Sequence, residues 1–154
     1  MRFEEHIEAL GREIGVELGV NTEGGCVLSV DDMTITLQNL PEFESVGFWG
    51  EIGEPPPQQL EKLLSVMLEA NHMFKGTGGA TISRDSETGR FYLCRLLDLR
   101  CLDAAAFTSA LEKFVNTLEA WIALVRDFRD IVPAAVPEGE PAASGLQNNG
   151  FLSV

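Results

Sequence analysis

The chain has 154 residues, enough for one domain on the usual scale of roughly 100–200 residues each. Its 45% hydrophobic and 23% charged residues can build a core, which excludes wholesale disorder. Eleven Lys and Arg against 24 Asp and Glu leave a formal charge of -13, so a phosphate backbone would meet repulsion rather than counterion-releasing contacts, and no nucleic-acid partner is expected.

The acidity is local. Residues 1–60 hold two basic and twelve acidic side chains, net -10, while residues 61–132 carry -1 and residues 133–154 carry -2. The apolar runs fall short of the roughly 18 residues that a membrane span needs. Glu4, Glu5 and Glu8 stand where a signal peptide would be basic and then apolar, so a cytoplasmic protein without membrane insertion is expected. Cys26, Cys94 and Cys101 are an odd set without C-x-x-C spacing; they point to buried thiols rather than a disulfide framework or a zinc knuckle.

In chain order, Phe3, Ile7, Leu10, Ile14 and Leu18 recur at helical spacing between acidic residues, which predicts an amphipathic helix. Gly11 and Gly15 weaken it by about 1 kcal/mol each relative to Ala, so it must gain stability by docking. Gly19 and residues 21–25 are expected to end it. From Cys26 the period changes to two: Cys26, Leu28 and Val30, then Met33, Ile35 and Leu37, with Asp31 and Asp32 between them. That is a hairpin. A third strand after Pro41 puts Val46, Phe48 and Ile52 on one face and Trp49 and Glu51 on the other.

Pro55, Pro56 and Pro57 are expected in the first turn of a second helix, whose stripe is Leu60, Leu63, Leu64, Met67, Leu68 and Phe74, with Gly76 as a left-handed stop. A second hairpin follows, Ala80–Ser83 and Phe91–Leu97, turning through Asp85–Gly89 with a glycine suited to a bulge. The strand Phe91–Leu97 is apolar on both faces: Phe91, Leu93 and Leu97 on one, Tyr92, Cys94 and Leu96 on the other. A small sheet with helices on one side has no use for that; either helices cover both faces or a second subunit does. The last helix starts with Asp103 as cap and a Leu102–Phe107 staple. Its stripe runs through Phe107, Leu111, Phe114, Leu118, Trp121, Val125 and Phe128. Residues 133–154, rich in Pro, Ala and Gly, are expected to be a flexible tail after a domain spanning residues 1–132. The order makes an α+β domain with a twisted, mainly antiparallel sheet: helix, three strands, helix, two strands, helix.

Catalytic signals are weak. Gly76-Thr77-Gly78-Gly79 leads from a helix into a strand, the reverse of a phosphate cradle, and reads as a turn. His6 and His72 lie on different helices without Cys at ligand spacing; they are expected at the surface or at helix ends. Asp31 with Asp32, and Glu42 with Glu44, read as a turn and a solvated edge. No G-x-S-x-G occurs. The expectation is a protein-binding module, not an enzyme, with no cofactor and no metal.

Leu68-Glu69-Ala70-Asn71, then Phe74-Lys75-Gly76-Thr77-Gly78-Gly79-Ala80, residues 85–90, and later Leu111 with Ala120-Trp121 resemble the type III secretion chaperones of the Tir-chaperone (CesT) family, class I, over about residues 1–130. The resemblance implies a homodimer that binds the N-terminal chaperone-binding segment of a secreted effector and keeps it soluble and extended for export. It places Leu64, Met67 and Leu68, with Tyr92, Cys94 and Leu96, at the dimer interface. It places Phe3, Ile7, Leu10, Val27, Ile35, Leu37, Phe48 and Trp49 in effector grooves; for each of these an ordinary core position is the alternative. The competing reading is a dimeric adaptor or regulatory protein of the same fold that binds a folded partner or a component of the secretion machinery. The tail has no counterpart in the family pattern.

Overall fold

A computed structural model describes residues 1–56 and 58–128 of the chain. The elements are α1 (Phe3–Ile14), β1 (Gly25–Val30), β2 (Met33–Leu40), β3 (Ser45–Gly53), α2 (Leu60–Asn71), β4 (Thr81–Arg84), β5 (Phe91–Asp98) and α3 (Ala104–Asp127), with short 3-10 turns at Pro41–Phe43, His72–Phe74 and Leu99–Cys101. The sheet is antiparallel throughout, in the order β1-β2-β3-β5-β4. The expected α+β architecture and its element order are present. The expected tail and the last residues before Pro133 lie outside the described residues.

Alternation assigns the two faces. Val46, Phe48 and Ile52 of β3 share one face with Ile35 and Leu37 of β2, Leu28 of β1, Leu93 of β5 and Ile82 of β4, and all are buried. The stripe of α3 lies on this face. Phe48 meets Phe107 and Phe114 edge-on, with ring centroids 5.5 and 5.8 Å apart, a favoured aromatic geometry. Leu118 fills the space that a side chain at Gly50 would take. Phe3, Ile7 and Leu10 of α1 and Leu63 and Met67 of α2 complete the same core. The helices therefore bury one face of the sheet only, which settles the first half of the alternative posed by the doubly apolar strand: helices do not cover its second face.

Local departures from the sequence reading have local causes. Helix α1 stops at Ile14 rather than beyond Leu18, because Gly15 adopts a left-handed conformation (φ 72°), which costs glycine nothing. The chain then turns back across the helix, with the Val16 amide donating to the Gly11 carbonyl at 3.0 Å. A Cβ on Gly11 would stand 2.7 Å from the Val16 carbonyl oxygen, so that glycine permits the close approach. Helix α2 begins at Leu60 behind Gln59, so Pro55 and Pro56 lie ahead of its first turn rather than in it; Pro57 lies outside the described residues. Its end is not made by Gly76. Met73 (φ 55°) and Phe74 (φ 56°) take the left-handed conformation instead. In the second hairpin Gly89 (φ 73°) makes the turn, but the register irregularity sits in β3 between Glu51 and Gly53.

Side-chain bonds hold the ends of the elements. Asp103 accepts from the Ala106 amide at 2.7 Å, as a cap should. Asn71, the last residue of α2, brackets Ile82 of β4, accepting from its amide at 2.9 Å and donating to its carbonyl at 3.1 Å. Trp121 Nε1 donates to the Gly76 carbonyl at 2.9 Å, pinning the α2–β4 connection to α3. Asn71→Ala removes two bonds at a strand and should cost about 2 kcal/mol, and Asp103→Ala about 1 kcal/mol. Urea titration should show lowered midpoints with an unchanged slope; wild-type midpoints would mean that these bonds do not carry the junctions.

Candidate protein-binding surfaces

Two apolar surfaces remain once the core is assembled. The first is a groove of about 670 Å³ on the helix side of β1. Leu10 and Ile14 of α1, Leu18 of the loop, Leu28 of β1, and Leu111 and Val115 of α3 line it. It exists because α1 ends early: beyond Gly15 the helix no longer covers β1, and Ile14 and Val16 are left exposed. β1 is the outermost strand on its side of the sheet, so its outer edge has no strand partner among the described residues. Apolar walls beside a free edge can take an extended polypeptide, whose backbone bonds to the strand while alternate side chains enter the groove. Glu112 is the charged residue of its lining, and residues 1–60, which supply α1 and β1, carry a net -10.

The second is the sheet face opposite the helices. Register places Val27, Thr36, Trp49, Cys94 and Thr81 in one row across five strands. The half-buried Trp49 ring lies over Gly47, 3.0 Å from where that residue's Cβ would be. Leu96 pairs with Gly47 and is 61% exposed, and Tyr92 pairs with Glu51 and Ser83. The alternation that put Trp49, Tyr92, Cys94 and Leu96 off the core face therefore holds in three dimensions.

The residues assigned to grooves separate into two groups. Phe3, Ile7, Leu10, Ile35, Leu37 and Phe48 are sealed in the core at 2% exposure or less, the alternative that the sequence left open for each of them. Val27, 56% exposed, and Trp49 lie on accessible surface. Leu10 and Val27 both line the groove beside β1. Among the residues assigned to a dimer, Met67 is a core residue, Leu64, Tyr92 and Cys94 are half-buried, and Leu68 and Leu96 are exposed. The sequence reading missed the α3 wall, Leu111 and Val115. Val115 sits one residue from the Phe114 of the core stripe, a neighbour that widens the apolar face toward β1. It also missed the exposed Met73–Phe74 pair, whose left-handed backbone no local pattern announces.

The titratable groups differ from expectation at two places. His6 is not a surface residue: it is 1% exposed and stacks on Phe107 with ring centroids 4.8 Å apart. Its spacing from Phe3 and Leu10 puts it on the buried stripe, a signal present in the sequence. Cys26 is buried, and burial pushes its thiol pKa up; Cys94 is half-buried and Cys101 exposed, so the thiols are not uniformly buried. His72 is exposed beside the end of α2, as expected. On the surface, three bonds from the Arg100 side chain, together with its amide, hold Asp98 down to a pKa of about 2. Arg100 also reaches Glu44 at 3.2 Å. Among the described residues no helix is long and apolar enough to cross a membrane.

Residues 5–122 match the Tir chaperone protein (CesT) family. The chain belongs to that family. It is thus a type III secretion chaperone, as the resemblance in residues 68–80 implied. No curated protein matches it in sequence. Among solved structures, this CesT-family chain is similar in fold to the ExsC–ExsE complex (TM-score 0.66, 20% identity, 81% of this chain and 97% of that one). It is also similar to the HopA1–SchA chaperone–effector complex (0.64, 15%, 81% and 93%) and to the Yersinia pestis type III secretion chaperone SycH with a fragment of YscM2 (0.64, 17%, 78% and 99%).

Burial predicts opposite outcomes for neighbouring positions. Phe48→Ala should destabilise the CesT-family fold by about 3–5 kcal/mol, while Val27→Ala should change stability by no more than about 0.5 kcal/mol. Thermal and urea unfolding of the two variants would check this; equal losses would contradict the assignment of faces.

Proposed function

We propose that this chaperone binds the N-terminal chaperone-binding segment of a secreted effector in the groove beside β1, and holds that segment extended until export. The observation that carries the reading is the coincidence of apolar walls with an unpartnered strand edge: one offers burial, the other backbone hydrogen bonds. Burial stabilises at about 25 cal/mol per Å², and each residue held extended costs about 1–2 kcal/mol of backbone entropy. A single anchor is therefore insufficient, and the bound segment runs along the surface. The charge of residues 1–60 favours a segment with basic residues flanking its apolar ones, and speeds encounter with it.

The same reading includes a homodimer acting in the cytoplasm, with no bond made or broken. The open sheet face supports the dimer: Leu96 there, and Leu68 on α2, are large apolar side chains with no cover in a single protomer. Met67 belongs to the protomer's own core, so its replacement by Glu would unfold the chain rather than divide a dimer. Leu68→Glu is the informative change. Sedimentation at micromolar concentration should give about twice 16.8 kDa for the native chain and a folded species of half that mass for the variant; a native monomer would remove the dimer.

The effector reading is tested by co-expressing the chain with an effector encoded beside it and measuring affinity for that effector's N-terminal segment. Val115→Glu places a charge in the groove and should weaken binding by more than tenfold, the cost of a buried unpaired charge, while the fold persists because Val115 is half-buried. Native affinity for the variant would move the site elsewhere. If the partner binds only as a folded domain, and Trp49→Ala rather than Val115→Glu abolishes binding, the adaptor reading on the open sheet face takes its place.

A further inference from the structure

His6 is the polar residue on the buried face of α1, packed flat on Phe107. Neither of its ring nitrogens has a hydrogen-bond partner among the described residues. A neutral imidazole in that position already lacks a bond; a charged one would be a cation in an apolar contact, which proteins do not tolerate without an acceptor. Phe48 backs the stack from the sheet, edge-on to Phe107. Glu5, next to His6 on α1, and Asp103, at the start of α3, face the ring with negative charge, and the N-terminal amino group opposes them with positive charge. Burial outweighs both, and the imidazole is held below its ordinary pKa of 6.5.

We infer that α1 is a strap on the core which protonation of His6 releases, uncovering Phe3, Ile7 and Leu10 together with the Phe107 ring of α3 that His6 covers. The geometry of attachment supports local release rather than global unfolding. Gly11 inside α1 weakens it relative to Ala, so it is held by what it docks against. Its polar tie to α3 is Thr108 Oγ1 donating to Glu13 at 2.8 Å, on the residue next to the Phe107 that His6 covers. The α3–β3 packing through Phe114 and Leu118 does not pass through α1. Release would expose apolar surface that is closed at neutral pH, and would withdraw the Leu10 and Ile14 wall of the groove. Phe3 and Ile7, which the family resemblance assigned to grooves and which the structure seals in the core, would join that surface.

The direction follows from proton linkage. Above pH 6.5 the ring is neutral whether α1 is docked or released. Below 6.5 the released state takes up a proton that the docked state does not, so release grows by up to tenfold per pH unit until the docked ring itself protonates. Hydrogen exchange of the full chain, corrected for the intrinsic pH dependence of exchange, should therefore show α1 opening more at pH 5.5 than at pH 7.5, by up to about tenfold, with α3 and β3 unaffected. His6→Phe keeps the stack and has no proton to gain; its α1 should open equally at both pH values. His72→Ala should retain the native pH response. An α1 that opens no more than the rest of the domain, or a response that survives in His6→Phe, would overturn the strap. Should His6→Phe fail to fold, the native protein decides: the His6 ring, followed by NMR, must titrate below 6.5, and titration at 6.5 or above would equally overturn it. No partner is needed for these measurements, so they are independent of the effector reading.

Discussion

One aromatic contact organises this molecule: Phe48, at the centre of the sheet, enclosed edge-on by Phe107 and Phe114 of α3. The long helix carries a stripe that is buried from Phe107 to Phe128, and β3 supplies the surface that it needs. Once α3 is seated on that face, α1 and α2 find room only on the same side, because their apolar stripes gain most by joining a core that is already excluding water. The sheet is then covered once. Its other face keeps Trp49, Tyr92, Cys94 and Leu96, and its β1 edge keeps unpartnered backbone. Monomeric domains commonly avoid both features; here they belong to a member of a chaperone family, whose work requires surfaces that other polypeptides can bury.

The three helices are held differently. α3 is capped by Asp103 and fully striped. α2 is tied to β4 by Asn71 and, through the loop after it, to Trp121. That loop carries Met73 and Phe74 in left-handed conformations costing roughly 1–2 kcal/mol each, with both side chains exposed; the surrounding bonds are strong enough to impose the strain. Among the described residues, α1 is tied to α3 by the single Thr108–Glu13 bond, and its contact with α3 includes an imidazole without a hydrogen bond. Stability is thus graded across the domain, and the element nearest the groove is the one held least firmly.

Much of this is legible in the sequence alone. Period-two alternation in residues 26–37 and 46–52, and period 3.6 in residues 107–128, located the hairpin, the third strand and the last helix, because buried faces demand those spacings. Trp49 could be seen to point away from the core by counting from Phe48. Other features were hidden for physical reasons. Whether an apolar residue such as Ile35 or Leu37 lines a groove or fills a core depends on what docks above it, and alternation is the same in both cases. The early end of α1 depends on a close approach between Val16 and Gly11 that propensity does not register. His6 is a polar residue type at a buried position: type favours the surface, while its spacing from Phe3, Ile7 and Leu10 puts it on the buried side.

By itself the sequence determined the elements, the two faces of each strand, the acidity of residues 1–60 and the family, since each of these is written in local order: periodicity, composition and the run of residues 68–80. Only the tertiary structure decided which apolar residues are spent and which remain. That allocation is a competition for one sheet face, won by the helix that brings the most aromatic surface, and its losers, Val27, Val115, Leu68 and Leu96, are identifiable only when the packing partners are brought together in space.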